Sequence, residues 1–235
     1  LNNIPLIAPL NTEAANGVIH HTAFVVTPPQ RYLWDRINTD PELTYLKAAI
    51  NRADSGTAAP GTLQGALLNI GANLTVFAPT DAAFQATLTG AIYQGLVAAG
   101  YPPGAGTQAT AAALASTPAV FSNPLLYSVL TAETVKGIVV YHLLGQCAFS
   151  NNMPTTTGFF PTLLNGAIPA HPGLGITATF TPPFVSAATV KGLGNATAAN
   201  IIINASPLLP DPSGTSDQHY LNGVLHKIDQ VLLPQ

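Results

Sequence analysis

Asn73-Leu74-Thr75-Val76-Phe77-Ala78-Pro79-Thr80-Asp81-Ala82-Ala83-Phe84 sets a strand directly against the start of a helix. Leu74 to Ala78 are strand-forming residues closed by a proline. Thr80 then supplies an N-cap and Asp81 an anion for the positive end of a helix running through Phe84 and Leu88 to Gly90. Upstream, Asp40-Pro41-Glu42 reads as another helix start, with Leu43, Leu46 and Ile50 on one stripe and Asp54-Ser55-Gly56 as its end. Downstream, residues 91–128 are small, uncharged and broken by Tyr101-Pro102-Pro103-Gly104 and Thr117-Pro118, which predicts short helices joined by loops. Thr134 to Leu144 predicts a helix with Val135, Ile138, Val139 and His142 near one face. Beyond Gly145 the pattern turns β-rich: Gln146–Phe149, Phe159–Leu164, Gly175–Phe180, Ala188–Leu193, Asn200–Asn204 and Leu221–Leu233. Helices early and strands late imply an α+β fold. No repeat of fixed period is visible in the sequence, which argues against a solenoid.

The composition narrows the function classes. Of 235 residues only 7 are Lys or Arg and 10 Asp or Glu, 7% charged against about 25% in an ordinary domain. Nine of these 17 charges fall between Glu13 and Asp54. Seven scattered cations cannot form the basic stripe that nucleic acid or an anionic membrane requires. The 47% apolar content is ample for a core. The long charge-free interval from Ala82 to Ala132 is cut by glycines and prolines, which excludes a run of about 18 apolar residues and hence a spanning helix. One cysteine, Cys147, allows neither an internal disulfide nor a thiolate metal cage and reads as a small buried hydrophobe.

Three segments, in order, resemble the fasciclin (FAS1) domain family. Leu74 to Phe84 is similar to its first signature, Tyr141-His142 within Val139-Val140-Tyr141-His142-Leu143-Leu144 to its Tyr-His motif, and Asn222 through Pro234 to its last signature. Pro161-Thr162-Leu163-Leu164-Asn165-Gly166 adds a weaker likeness. The resemblance implies a wedge of two β-sheets with helices along one side. It also implies one domain over residues 17–235 after an extension at 1–16, with a helical and loop insertion around 91–128. Thr80, Asp81, Asn222, Gly223, His226 and Asp229 are then signature residues of structural meaning. Family members are usually secreted or surface-attached adhesion and matrix proteins without cofactors. Tyr141 and His142 become candidate adhesion residues, although the stripe containing His142 marks it as a core histidine bonded to backbone. Some members carry an Asp-Ile adhesive pair before the last signature. Here Asp217 matches and Gln218 does not, and Asp217 also suits an exposed turn.

Sites of chemistry are sparse. There is no Gly-x-Ser-x-Gly elbow, no His-Glu-x-x-His and no phosphate-cradling lysine loop. His20, His21, His142, His171, His219 and His226 are dispersed, so no metal site is expected. Asp211 to Asp217 has oxygen side chains at calcium-loop spacing but lacks the bidentate Glu, and Gly192-x-Gly194 is too short for a dinucleotide fingerprint. Asn195-Ala196-Thr197 and Asn204-Ala205-Ser206 match the glycosylation pattern. The reading these observations favour is a non-enzymatic extracellular or cell-surface module that contacts other proteins or surface polysaccharides, with a bacterial envelope protein as the nearest type. The alternative is a small-ligand or glycan capture domain whose pocket is formed by the 91–128 insertion and lined by Tyr93, Tyr101, Phe121 and Tyr127. A hydrolase built on Asp217, His219 and His226 is a third, weaker reading.

Overall fold

The two signature strands lie side by side at the centre of the molecule. In the computed structural model, which describes residues 4–182, 184–204 and 214–235, β3 (Leu74–Pro79) pairs in parallel with β10 (Gly223–Ile228), and every residue of both is buried. A parallel pair covered on both faces explains why neither strand alternates cleanly between apolar and polar residues. β4 (Leu143–Leu144) and β9 (Gln218–Tyr220) complete the sheet in the order β4-β3-β10-β9. The second sheet is antiparallel, β5-β6-β7-β8, from β5 (Gly158–Phe160), β6 (Leu174–Thr181), β7 (Phe184–Lys191) and β8 (Ala199–Asn200). Single bridges, Leu144 to Thr162 and Ile201 to Ile228, join the first sheet's strands to segments leading into the second. A separate hairpin, β1 (Leu6–Ala14) with β2 (Gly17–Thr22), precedes everything else and is exposed along its length.

The pleat sends alternate side chains to two cores. On one face Leu74, Val76, Ala78 and Leu225 meet the helices: α1 (Leu33–Thr39), α2 (Thr44–Ala53), α3 (Leu63–Leu68), α4 (Asp81–Ala98), α5 (Ala105–Leu114) and α6 (Ala132–Tyr141). On the other face Phe77 and Ile228 meet Leu174, Ile176, Val190 and Ala199 of the second sheet. The α+β order expected from the sequence is therefore present, helices on one side of the first sheet and the second sheet on the other. Among the described residues no helix is long and apolar enough to cross a membrane.

Several element boundaries differ from the sequence expectation. Asp40 does not cap α2, whose first residue is Thr44. Asp40 closes α1 instead, and its carboxylate turns inward to buried cations. α4 runs on through Gly90 and Gly95 to Ala98. Val129 lies 3.5 Å from where a Gly95 Cβ would sit, an ordinary contact distance. α6 ends at Tyr141, and the next two leucines form β4 rather than a last helical turn. The strand expected at 146–149 is not formed, β5 stops at Phe160, and Leu163–Gly166 is a 3-10 turn. The run from Leu221 to Leu233 is strand only as far as Ile228. Asp211 to Ser213, the first half of the loop with calcium-type spacing, and Ala205-Ser206 of the second glycosylation pattern lie outside the described residues.

Candidate functional site

The Tyr-His motif sits at the end of α6, where the helix passes between the two cores. Tyr141 is fully buried, its hydroxyl donating to Gly173 O at 2.8 Å and accepting from Leu193 N at 3.1 Å. It thus ties α6 to both ends of the β6–β7 hairpin, and burial pushes its phenol above the usual range. His142 is equally buried. One ring nitrogen, Nδ1, bonds Ile138 O at 2.8 Å, and the other, Nε2, accepts from Leu232 N at 2.9 Å. Those two partners define a neutral imidazole with its proton on Nδ1, because a second proton would face the Leu232 N–H. His171 completes the group. It packs edge-on to Tyr141 with ring centroids 5.0 Å apart, accepts from Gly173 N and bonds Pro234 O.

Burial lowers the His142 pKa to about 4, a penalty only partly offset by its bond to Ile138. An unfolded histidine titrates near 6.5, so between these values the unfolded chain binds the extra proton. Stability is complete above about pH 6.5 and is lost as pH falls toward 4, by about 3 kcal/mol from this residue. Half-buried His219, also shifted down by burial, acts in the same direction. Urea midpoints measured from pH 4 to 7 should show this slope, and His142→Gln should flatten it while lowering stability at pH 7.

The last signature is equally internal. Asn222 accepts from Leu33 N at 3.0 Å and donates to Leu67 O at 2.8 Å, joining the starts of α1 and β10 to the end of α3. His226 stacks on Phe77, bonds Ala148 O through Nε2, and accepts from Asp217 N through Nδ1. Asp229 binds the backbone and side-chain amides of Asn200, both at 2.7 Å. Asp217 is not the exposed turn residue expected from the sequence. It is half-buried at a positive φ of 54°, with both carboxylate oxygens 2.6 Å from Ser150, one from its N–H and one from its hydroxyl. With both nitrogens of His226 engaged by backbone, Asp217, His219 and His226 do not form a base-and-nucleophile relay. Among the described residues no three His, Cys, Asp or Glu side chains gather closely enough to hold a metal ion.

Asp81 does more than favour its own helix. Thr80 caps α4 through Ala83 N, whereas the Asp81 carboxylate accepts from Thr44 Oγ1 at 2.5 Å and Tyr45 N at 3.0 Å, capping α2 from outside. Asp54 does the same for α3 through Leu63 N and Gln64 N. Under α1 and α2 lies a cluster that sequence reasoning missed. Lys227 Nζ meets Asp40 at 2.8 Å and Glu42 at 2.7 Å, and Arg36 meets Asp40 at 2.8 Å. Burial alone would raise the Asp40 carboxyl. Lys227, the Glu42 N–H and Arg36 outweigh that and hold it below its ordinary value. Asn195 and Asn204 are likewise bonded inside the fold, Asn195 to Val231 O and Leu233 N, and Asn204 to Thr215 and Ser216. Cys147 is half-buried, its thiol pushed up by burial.

The insertion is divided between core and surface. Phe121 belongs to the core, edge-on to Phe84, and Tyr93 packs against that core. Tyr101 and Tyr127 are exposed, so the four aromatics divide between core and surface. Leu125 and Val129, which the sequence did not single out, are also exposed, and Leu125 is 84% accessible. The guanidinium of Arg52 lies 3.8 Å from the centre of the Tyr127 ring while its Nε donates to Leu130 O, which fixes the ring from beneath. Val129 and Tyr101 flank the last turn of α4, the latter through Tyr101 N to Leu96 O at 3.0 Å. Tyr101, Leu125, Tyr127 and Val129 thus present apolar or aromatic surface, with Tyr127 backed by the Arg52 guanidinium.

No known family profile matches the sequence, and no curated protein matches it. Among solved structures the chain is similar to one described as a "Novel Fold Revealed by the Structure of a FAS1 Domain Pair from the Insect Cell Adhesion Molecule Fasciclin I". The TM-score is 0.51 at 14% identity, over 99% of this chain and 61% of that one. The chain therefore spans about three fifths of the length of that domain pair. The α+β fold expected from the three ordered motifs is the fold the chain adopts.

Proposed function

We propose that this chain of fasciclin (FAS1) fold is a non-enzymatic contact module of an extracellular or surface-attached protein, and that it meets other proteins or surface polysaccharides through its 91–128 insertion. The observation that carries this reading is the contrast between the motifs and the insertion. Tyr141, His142, Asn222 and His226 are spent on internal bonds. Tyr101, Leu125 and Tyr127 of the insertion, with Val129 just beyond it, are instead exposed, and Arg52 lies against the Tyr127 ring. Aromatic and apolar side chains with few charges to desolvate are the composition of interface centres. The structural neighbour is described as coming from an insect cell adhesion molecule, which supports the same class of role.

The test is retention of cells, matrix proteins or polysaccharides on immobilised protein. Leu125→Ser with Tyr127→Ala should reduce retention at least fivefold with Tm unchanged within about 2 °C. Equal retention by the double variant would remove the insertion from the interface. A saturable rise in Tm with a soluble glycan, lost in Tyr101→Ala, would favour the small-ligand reading instead.

A further inference from the structure

The N-terminal hairpin repeats the closing hairpin of the fold. Asn16-Gly17-Val18-Ile19-His20 corresponds to Asn222-Gly223-Val224-Leu225-His226, and the match continues without a gap to Val25-Val26-Thr27-Pro28 against Val231-Leu232-Leu233-Pro234. No fixed short period marks the repeat, because the two copies stand at opposite ends of the chain. The strand register is the same in both. Ala14, Glu13 and Thr12 face Gly17, Val18 and Ile19, as Tyr220, His219 and Gln218 face Gly223, Val224 and Leu225.

Equivalent residues live in opposite surroundings. Val224 and Leu225 are fully buried and Val231 is 3% accessible, whereas Val18 and Ile19 are each 53% accessible and Val25 is 78%. Gly223 lies against Leu74 O, but nothing lies within 4 Å of a Cβ at Gly17. A two-stranded hairpin with apolar residues on both faces is marginal in water by itself. β10 gains its stability from β3, pairing in parallel along its other edge, and from cores above and below. Among the described residues the corresponding edge of β2 pairs with no further strand.

We infer that residues 6–29 are the closing hairpin of a second unit of this same fold, which precedes Leu1 in a longer polypeptide. The occupant of the open β2 edge is that unit's own strand of the Leu-Thr-Val-Phe-Ala-Pro type, with the cores on its two sides covering Val18, Ile19 and Val25. A second copy of this chain does not fit the role. Its β3 already carries β4 on one edge and β10 on the other, leaving no vacant edge for another hairpin. The likeness to the domain pair extends over 99% of the chain and so takes in the hairpin. On this assignment the unit described above begins near Gln30, and residues 17–29 belong with the extension rather than with the domain that follows.

Sequencing the gene upstream of the Leu1 codon tests the assignment first. The open reading frame should continue and encode a strand-to-capped-helix segment like 74–84 and a Tyr-His helix end like 139–144, in that order. A frame that opens at a leader, or that encodes an unrelated fold, overturns it. Gly17→Ala then gives a physical test. In the present chain it should leave Tm within about 1 °C, because the position is open. In the longer chain it should lower the melting transition of the first unit by more than about 10 °C. Hydrogen exchange at residues 17–22 should slow at least 100-fold in the longer chain relative to this one. Equal exchange in both chains, or protection in this chain through dimers of itself, overturns the inference.

Discussion

Gly223→Ala yields no folded protein. A Cβ on Gly223 would lie 2.0 Å from Leu74 O and 2.8 Å from its carbonyl carbon, and the residue holds a φ of 153° that L side chains rarely adopt. The obstacle is backbone of the adjacent central strand, so no side-chain rotation relieves it. Moving β10 away would break the β3 pairing and open both cores. The expected loss exceeds about 4 kcal/mol, at the far end of single substitutions. Gly137→Ala is the matched control. That glycine lies inside α6 with nothing within 4 Å of its Cβ, and alanine there should stabilise by about 0.5–1 kcal/mol. Circular dichroism and urea unfolding distinguish the two. A cooperative transition for Gly223→Ala near the wild-type midpoint would show that the strand contact is not what fixes this residue.

Lys227→Met produces the second large effect. The ammonium is 2% exposed and sits between Asp40 and Glu42, while Arg36 holds Asp40 from the other side and donates to Gly214 O. Methionine keeps most of the volume and removes the charge. Asp40, itself buried, then keeps Arg36 but loses half of its cationic surroundings. Breaking one partner of such a cluster costs about 3–5 kcal/mol, mostly as the penalty of the carboxylate left behind. Adding Asp40→Asn to Lys227→Met should recover at least about 1 kcal/mol, and a double-mutant cycle measures that coupling. Additive losses would mean that the two side chains act independently. Because the Asp40 carboxyl is held low, its stabilisation is present above its unfolded pKa and disappears on acidification through its folded value.

The parts of the fold legible in the sequence were those decided locally. Pro79 stops β3, Thr80 caps α4, and Asn222-Gly223 opens β10, each through its own backbone requirements. The α6 stripe placed His142 inside, bonded to backbone, as the structure has it. What misled were residues whose partners are far away in sequence. Asp40 looked like a cap because Pro41 and Glu42 follow it, but its carboxylate answers to Lys227. Leu143-Leu144 extended an apolar helix pattern until pairing with Thr75 and Val76 made it an edge strand. Gly90 looked like a helix end, yet α4 continues through it to Ala98. The surface patch was half legible. Tyr101 and Tyr127 stood out as aromatics, whereas Leu125 and Val129 were hidden among many aliphatic residues of the core type.

The carboxylates that cap from outside set how this protein must assemble. Asp81 closes the first turn of α2, Asp54 that of α3, and the Asn222 amide carbonyl accepts from the first residue of α1 across 189 positions of chain. A ten-residue helix such as α2 is too short to persist in water alone, and here its starting turn is completed by the β3–α4 junction. The starts of α1, α2 and α3 therefore draw part of their satisfaction from other elements. Partial intermediates gain little, so unfolding of the two sheets and their helices should be all-or-none rather than a peeling of helices from the sheet. Under tension the unit should therefore hold as one body until it yields entirely.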